Sequence, residues 1–307
     1  MKNFFLLLLL AIYLTGCKSV DKNSPATGGN NIKASAQLSS EETLQWVEKN
    51  VDSVLVRHVF AAPNGLQMAY RLFSPDGNIR KKVPLVVFLH GRGDRGTDNG
   101  PKIYKSTGLF MSENALIAPN MQALFPCYVL APQCSDKTIN EEWAKWVGNT
   151  PETPFKGLGK DGSYTMSEQP SESGAAALAL IDKLIDSLNI DPDRVYLIGK
   201  SMGGFGTWEF TARRPELFAA AVPMAGYSDP GQIEKIKHIP FWIFHGNVDE
   251  ANPVEGSRTM YKLLTEAKAE VKYTEYEGAN HGESFRKAFN EPELIPWMFS
   301  KTRERKK

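Results

Sequence analysis

Cysteine and histidine are scarce in this 307-residue chain, with three and five copies, and the charges nearly cancel at a formal net charge of +1. Each shortage removes a class of function. No group of His, Cys and acidic residues has the spacing of a metal site, so neither a metal nor any other cofactor is expected. No basic stripe marks a nucleic-acid footprint; the basic tail at 303–307 belongs to a run of five Lys or Arg in residues 301–307 that reads as solvated. Internal repeats and a central linker are also missing, which argues for one large domain rather than two. Cys127 and Cys134 flank a strand-like stretch; seven extended residues would separate their α-carbons by roughly 20 Å, whereas a disulfide needs less than about 7 Å. They are expected to be unbridged unless the chain turns back near Pro132.

The N-terminus has a specific form. Lys2 precedes the apolar residues 4–14, which are too few to span a bilayer as a stable helix and read as a signal peptide over 1–16. Leu14-Thr15-Gly16-Cys17 resembles the bacterial lipobox, which makes Cys17 the expected lipid-modified first residue of an exported protein held at the periplasmic or cell surface. Ordinary cleavage with Cys17 as a chance thiol is the plainer alternative. Residues 17–40, rich in Ser, Asn, Gly, Lys and Ala, read as a flexible tether, and the folded domain is expected over 41–302.

Within that domain, apolar β-rich runs at 83–89, 128–131, 195–198, 219–223, 241–245 and 271–276 alternate with helical patterns, notably 171–188, 205–213 and 254–264. Such alternation predicts an α/β fold, a mostly parallel twisted sheet with helices on both faces. Upstream, 57–60 and 66–73 joined through Pro63-Asn64-Gly65 read as an N-terminal antiparallel hairpin. Ligands of such sheets collect at the carboxyl ends of strands. Here those ends carry His90-Gly91-Arg92-Gly93, Gly199-Lys200-Ser201-Met202-Gly203, His245-Gly246-Asn247-Val248-Asp249 and Asn280-His281.

A lone Gly-x-Ser-x-Gly is weak; between a strand and a helix it has the setting a nucleophile elbow requires. Gly199 and Gly203 would supply clearance for the turn, Gly204 and Gly206 would let the helix pack closely, and Lys200 is expected to face solvent. Trp208 reads as core. A serine hydroxyl needs a base, and of the histidines only His281 follows the last core strand, where the order Ser, acid, His places it. The orienting carboxylate should lie between them: Asp249 fits, with Glu250 and Asp229 as rivals. Backbone amides of Met202, at the helix start, and Arg92, after the first parallel strand, are the candidate oxyanion donors. The Arg92 side chain could instead serve Asp94.

The segments "LHGRGDRGTDN", "APQC", "DPDRVYLIGKSMGGFGTW", "PELFAAAVPMAG", "FHGNVDEANPVEGSR" and "EVKYTEYEGANH" together resemble the secreted α/β-hydrolase esterases of the predicted-peptidase type. These are similar to dienelactone-hydrolase-like and prolyl-oligopeptidase-type domains and to feruloyl and acetylxylan esterases. The resemblance spans about 57–299 and implies a Ser201, Asp249 and His281 triad in a serine carboxylic ester hydrolase without cofactors. Asn252 stands before Pro253 where relatives often carry valine, which suggests an altered pocket rim. Between Cys134 and Ser171, a long connection with Trp143, Trp146, Phe155 and Tyr164 could wall the site or merely pin the loop. Trp143, Trp146 and Asn280 are therefore candidate substrate contacts. The expected substrate is an acetyl or feruloyl ester, polysaccharide-linked in the fullest form of the reading. A peptidase and a non-catalytic binding protein on the same scaffold are the alternatives.

Overall fold

The computed structural model describes residues 38–75, 81–137, 145–148 and 165–303. The strands are β1 (Leu55–Ala61), β2 (Gln67–Phe73), β3 (Val83–Leu89), β4 (Tyr128–Pro132), β5 (Ile190–Lys200), β6 (Ala220–Met224), β7 (Phe241–Gly246) and β8 (Val271–Tyr276). Among the described residues they form one sheet in the order β1-β2-β4-β3-β5-β6-β7-β8. β1 and β2 are the antiparallel hairpin, β2 also meets β4 antiparallel, and every other pairing is parallel. The helices are α1 (Ser40–Val54), α2 (Lys102–Lys105), α3 (Pro119–Leu124), α4 (Glu172–Ser187), α5 (Met202–Arg213), α6 (Ile233–Ile236), α7 (Val254–Glu266), α8 (His281–Phe289) and α9 (Leu294–Phe299).

Successive side chains of a strand face opposite ways, and here both ways are apolar. In β3, Val86 and Phe88 join Val47 and Val51 of α1, Phe289 of α8 and Met298 of α9. Leu85, Val87 and Leu89 join Ala177 and Ile181 of α4. A continuous apolar run, as opposed to an alternating one, is what a strand covered on both faces requires. α5 is buried along 202–212, and its Trp208 stacks on Phe241 of β7 at 4.6 Å while donating its indole N–H to the Gly226 carbonyl. Trp208 is core, as its sequence context suggests.

Local sequence explains the boundaries. Ser39 and Glu42 form a reciprocal capping box that starts α1. The hydroxyl of Ser171 accepts the Gly174 amide and starts α4. β5 begins five residues earlier than its apolar run: Val83 pairs with Ile190, and the next partners are Leu85 and Val195, so residues 191–194 bulge from the ladder. Pro192 lies in that bulge, because it has no N–H to donate. Cys127 and Cys134 are buried and unbridged, and burial pushes both thiols up to about 12.

Candidate active site

Ser201 sits between the end of β5 and the start of α5 with φ 53° and ψ −120°, a conformation that costs a non-glycine residue on the order of 1–3 kcal/mol. Its amide is held by the Met224 carbonyl at 2.8 Å. The turn is possible because its neighbours lack side chains. A Cβ on Gly199 would lie 2.2 Å from the Gly203 carbonyl oxygen, and one on Gly203 would lie 1.9 Å from that of Leu89. Gly204 approaches the Met224 carbonyl and Gly206 the Trp146 side chain at 2.5 and 2.7 Å by the same measure, so these two glycines let α5 press against the sheet. No side chain caps α5, and the amide of Met202 therefore opens the helix at its electropositive end.

His281 is the first residue of α8. Its Nε2 lies 2.9 Å from Ser201 Oγ and its Nδ1 lies 2.6 Å from Asp249 Oδ2. The three side chains named from the sequence thus form one continuous chain of hydrogen bonds across residues 80 and 32 positions apart. The rival carboxylates are elsewhere: Glu250 is exposed, and Asp229 caps the turn at Pro230–Gln232 by accepting the Gly231 amide.

The Asp249 side chain is buried, yet every direction around its carboxylate offers a donor. Oδ1 accepts the amides of Ala251 and Asn252 at 2.8 and 2.9 Å. Oδ2 receives His281 and, at 3.2 Å, the Nε2 of His245. Burial by itself would raise the pKa of this carboxyl, but hydrogen bonds from His245, His281 and Asn252 outweigh it and hold the group well below the usual carboxylate range. His245 is fully buried at the end of β7; its Nε2 faces two acceptors, Asp249 and the Asn252 carbonyl, so that nitrogen carries the proton, and Nδ1 accepts from the Ser257 hydroxyl at 2.7 Å. His245 is a support for the acid that the strand-end pattern does not single out, although its position four residues before Asp249 is a usable signal. Asn252, expected at a pocket rim, is instead buried, and its side-chain amide donates to the Ala225 carbonyl at 2.6 Å behind the acid.

The segment after β3 closes the opposite side. A Cβ on Gly91 would lie 3.6 Å from both Ser201 Cβ and Lys200 Cε, which brings the Gly91-Arg92 backbone against the elbow. Lys200 does not face solvent as its position in the motif suggests. Its side chain is 8% exposed, and Nζ meets Asp94 Oδ2 at 3.2 Å, Ser106 Oγ at 2.7 Å and the Ser106 carbonyl at 3.1 Å. Asp94 Oδ2 also accepts the Gly91 amide at 3.3 Å. Asp94 is the ionic partner of Lys200, because the strained turn directs the residue before Ser201 inward where only a paired ammonium is tolerated.

Of the candidate substrate contacts, one is corrected and another is found engaged as a helix cap. Trp146 is fully buried: its indole N–H donates to the His90 carbonyl at 3.0 Å, and its ring meets those of His90 and Phe210 edge-on. It anchors residues 145–148 to the core. Asn280 caps α8, its side-chain oxygen accepting the Glu283 amide while Glu283 accepts the Asn280 amide. Trp143, Phe155, Tyr164 and Cys17 lie outside the described residues. His90 is structural as well: its Nε2 accepts the Cys134 amide at 2.9 Å, Nδ1 donates to the Gly91 carbonyl at 2.7 Å, and burial pushes its pKa down to about 4.

A thermostable esterase of known structure is 37% identical and superposes with a TM-score of 0.67, covering 81% of this chain and 64% of that one. The fold is that of the α/β-hydrolases. Within this fold, a sequence model of a PET hydrolase-like family matches residues 157–298. A bifunctional acetylxylan esterase/xylanase of Neocallimastix patriciarum is 25% identical over 171 residues, 53% of this chain and 26% of that enzyme. A secreted protein of Arthroderma benhamiae is 24% identical over 319 residues, 88% of this chain and 31% of that protein. The chain spans 25% to 31% of the length of the curated relatives it matches.

Proposed function

We infer that the protein is a serine carboxylic ester hydrolase that works through an acyl-enzyme. The observation that carries this reading is the hydrogen-bond chain from Asp249 through His281 to Ser201, at 2.6 and 2.9 Å. His281 Nε2 takes the hydroxyl proton as Ser201 Oγ attacks the ester carbonyl, and the carbonyl π pair moves onto oxygen. Amides of Met202 and Arg92 receive that oxyanion. As the tetrahedral species collapses, the alkoxide leaves and takes the proton from His281. Water then repeats the sequence: His281 removes its proton, the hydroxide attacks the acyl carbonyl, and Ser201 leaves as the free hydroxyl. Asp249, kept ionised by its four donors, stabilises the imidazolium in each half.

Among esters, acetyl or feruloyl groups carried by a polysaccharide are the substrate this reading favours; the name of the Neocallimastix relative supports it. Export with a lipid anchor at Cys17, a tether over 17–40 and a single catalytic domain over 41–302 is the matching arrangement, supported by the lipobox-like sequence. Replacing Cys17 by Ser should move the protein from the membrane to the soluble fraction.

Ser201→Ala and His281→Ala should each lower kcat toward aryl acetates by roughly 10⁴-fold or more, and fluorophosphonate should label wild type but not Ser201→Ala. Activity surviving in Ser201→Ala, or an unlabelled wild type, would refute the mechanism. Faster turnover of peptide amides than of aryl acetates or methyl ferulate would refute the ester preference.

A further inference from the structure

Beside the triad lies a cavity of about 660 Å³, within the size range of small-molecule sites. It borders the reacting groups without containing them: Lys200 precedes Ser201, Gly282 follows His281, and the Phe285 ring, which lines the cavity, packs edge-on against the His281 imidazole at 4.7 Å. Its floor is apolar, with Phe285 and Phe289 contributed by α8.

Its charges are unequal. Lys200 is matched by Asp94. Lys105 of α2 and Arg286 of α8 both line the cavity, and neither side chain has an ionic or hydrogen-bond partner among the described residues. Glu113, the acidic residue of the lining, has no ion-pair partner either, so cations exceed anions. Lys105 and Arg286 lining a cavity together with Phe285 and Phe289, next to Ser201 and His281, have the chemistry of a carboxylate subsite.

We propose that this cavity selects esters that carry a carboxylate, with Lys105 and Arg286 holding the anion and the aromatic floor holding the carbon skeleton between it and the scissile carbonyl. The proposal rests on the ester hydrolase reading for its reaction and on the cavity for its specificity. No bond is made or broken in the cavity; the anion is retained throughout the two half-reactions.

The test compares matched pairs. On the acyl side, 4-nitrophenyl hemiglutarate is set against 4-nitrophenyl pentanoate; on the alcohol side, 4-acetoxybenzoate against 4-acetoxybenzamide. At low ionic strength, kcat/KM for at least one anionic ester should exceed that of its neutral match by roughly tenfold. The ratio should fall to one or below in Lys105→Glu and Arg286→Glu, and should stay unchanged in Lys183→Glu on the far face of the sheet. Added salt should lower it as well. A ratio of one or less in both pairs, or a preference indifferent to both charge reversals, would overturn the proposal. A second measurement needs no turnover: calorimetric titration of Ser201→Ala protein with monomethyl glutarate and with 4-acetoxybenzoate. Saturable binding lost in Arg286→Glu supports the subsite even if fluorophosphonate labelling were to refute the hydrolase reading. No binding of either compound at millimolar concentration overturns the subsite while leaving that reading intact.

Discussion

Lys200 shows how much a single side chain can decide. Its ammonium is buried, a cost that lowers its pKa, and the Asp94 carboxylate opposes that shift. Because Asp94 also holds the Gly91 amide, the lysine links the residue before the nucleophile to the segment that carries the Arg92 amide. Replacing one partner of such a pair leaves the other charge uncompensated, so Lys200→Met should cost about 3 kcal/mol in urea unfolding. It should also lower kcat by more than it raises KM, because the Arg92 amide proposed as an oxyanion donor would lose its register. Full stability together with full kcat would contradict this role. Asp249 depends on its surroundings in the same way: the carboxylate is useful as an anion only because His245, His281 and the amides of Ala251 and Asn252 all reach it.

Elements place these side chains by local rules. The elbow depends on four glycines in 199–206, each pressed against backbone or a large ring, so the motif encodes a close approach as well as a turn. At α8, the capping box of Asn280 and Glu283 fixes where the helix starts, and therefore where His281 stands. Asn280→Ala should lower stability by about 1 kcal/mol. Its KM should stay close to wild type, whereas a substrate-binding asparagine would raise KM when removed; steady-state kinetics beside denaturant titration separates the two. The loop ends are tied together as well, since the Val248 amide reaches the Ala279 carbonyl and the Gly278 amide reaches the Asn247 side chain. A Cβ on Gly246 would meet that Ala279 carbonyl at 2.2 Å, which explains the glycine after His245.

For the whole molecule, buried His90 makes stability depend on pH. Its folded-state pKa is about 4, against about 6.5 in an unfolded chain. Between those values the unfolded state binds a proton that the folded state refuses, so stability is complete above about pH 6.5 and declines as pH falls toward 4, at about 1.4 kcal/mol per unit in mid-window. Unfolding titrations across that window should show this slope, and His90→Gln should flatten it; an equal slope in the variant would assign the effect elsewhere.

The sequence by itself determined the strand and helix alternation, because a strand covered on both faces must be apolar throughout. It singled out Ser201, because a strand, a glycine-clad serine and a helix are contiguous, and it pointed to His281 and Asp249 through the strand ends they follow; the structure joins the three by hydrogen bonds. Only the tertiary structure decided that β4 enters between β2 and β3, that Lys200 turns inward, that His245 shares the Asp249 oxygen, and that Trp146 is buried rather than presented to substrate. Periodicity and turn chemistry are written in neighbouring residues. Burial and pairing depend on which distant segments meet, and a lysine or tryptophan looks the same in the chain whether it meets a carboxylate, a packed ring or water.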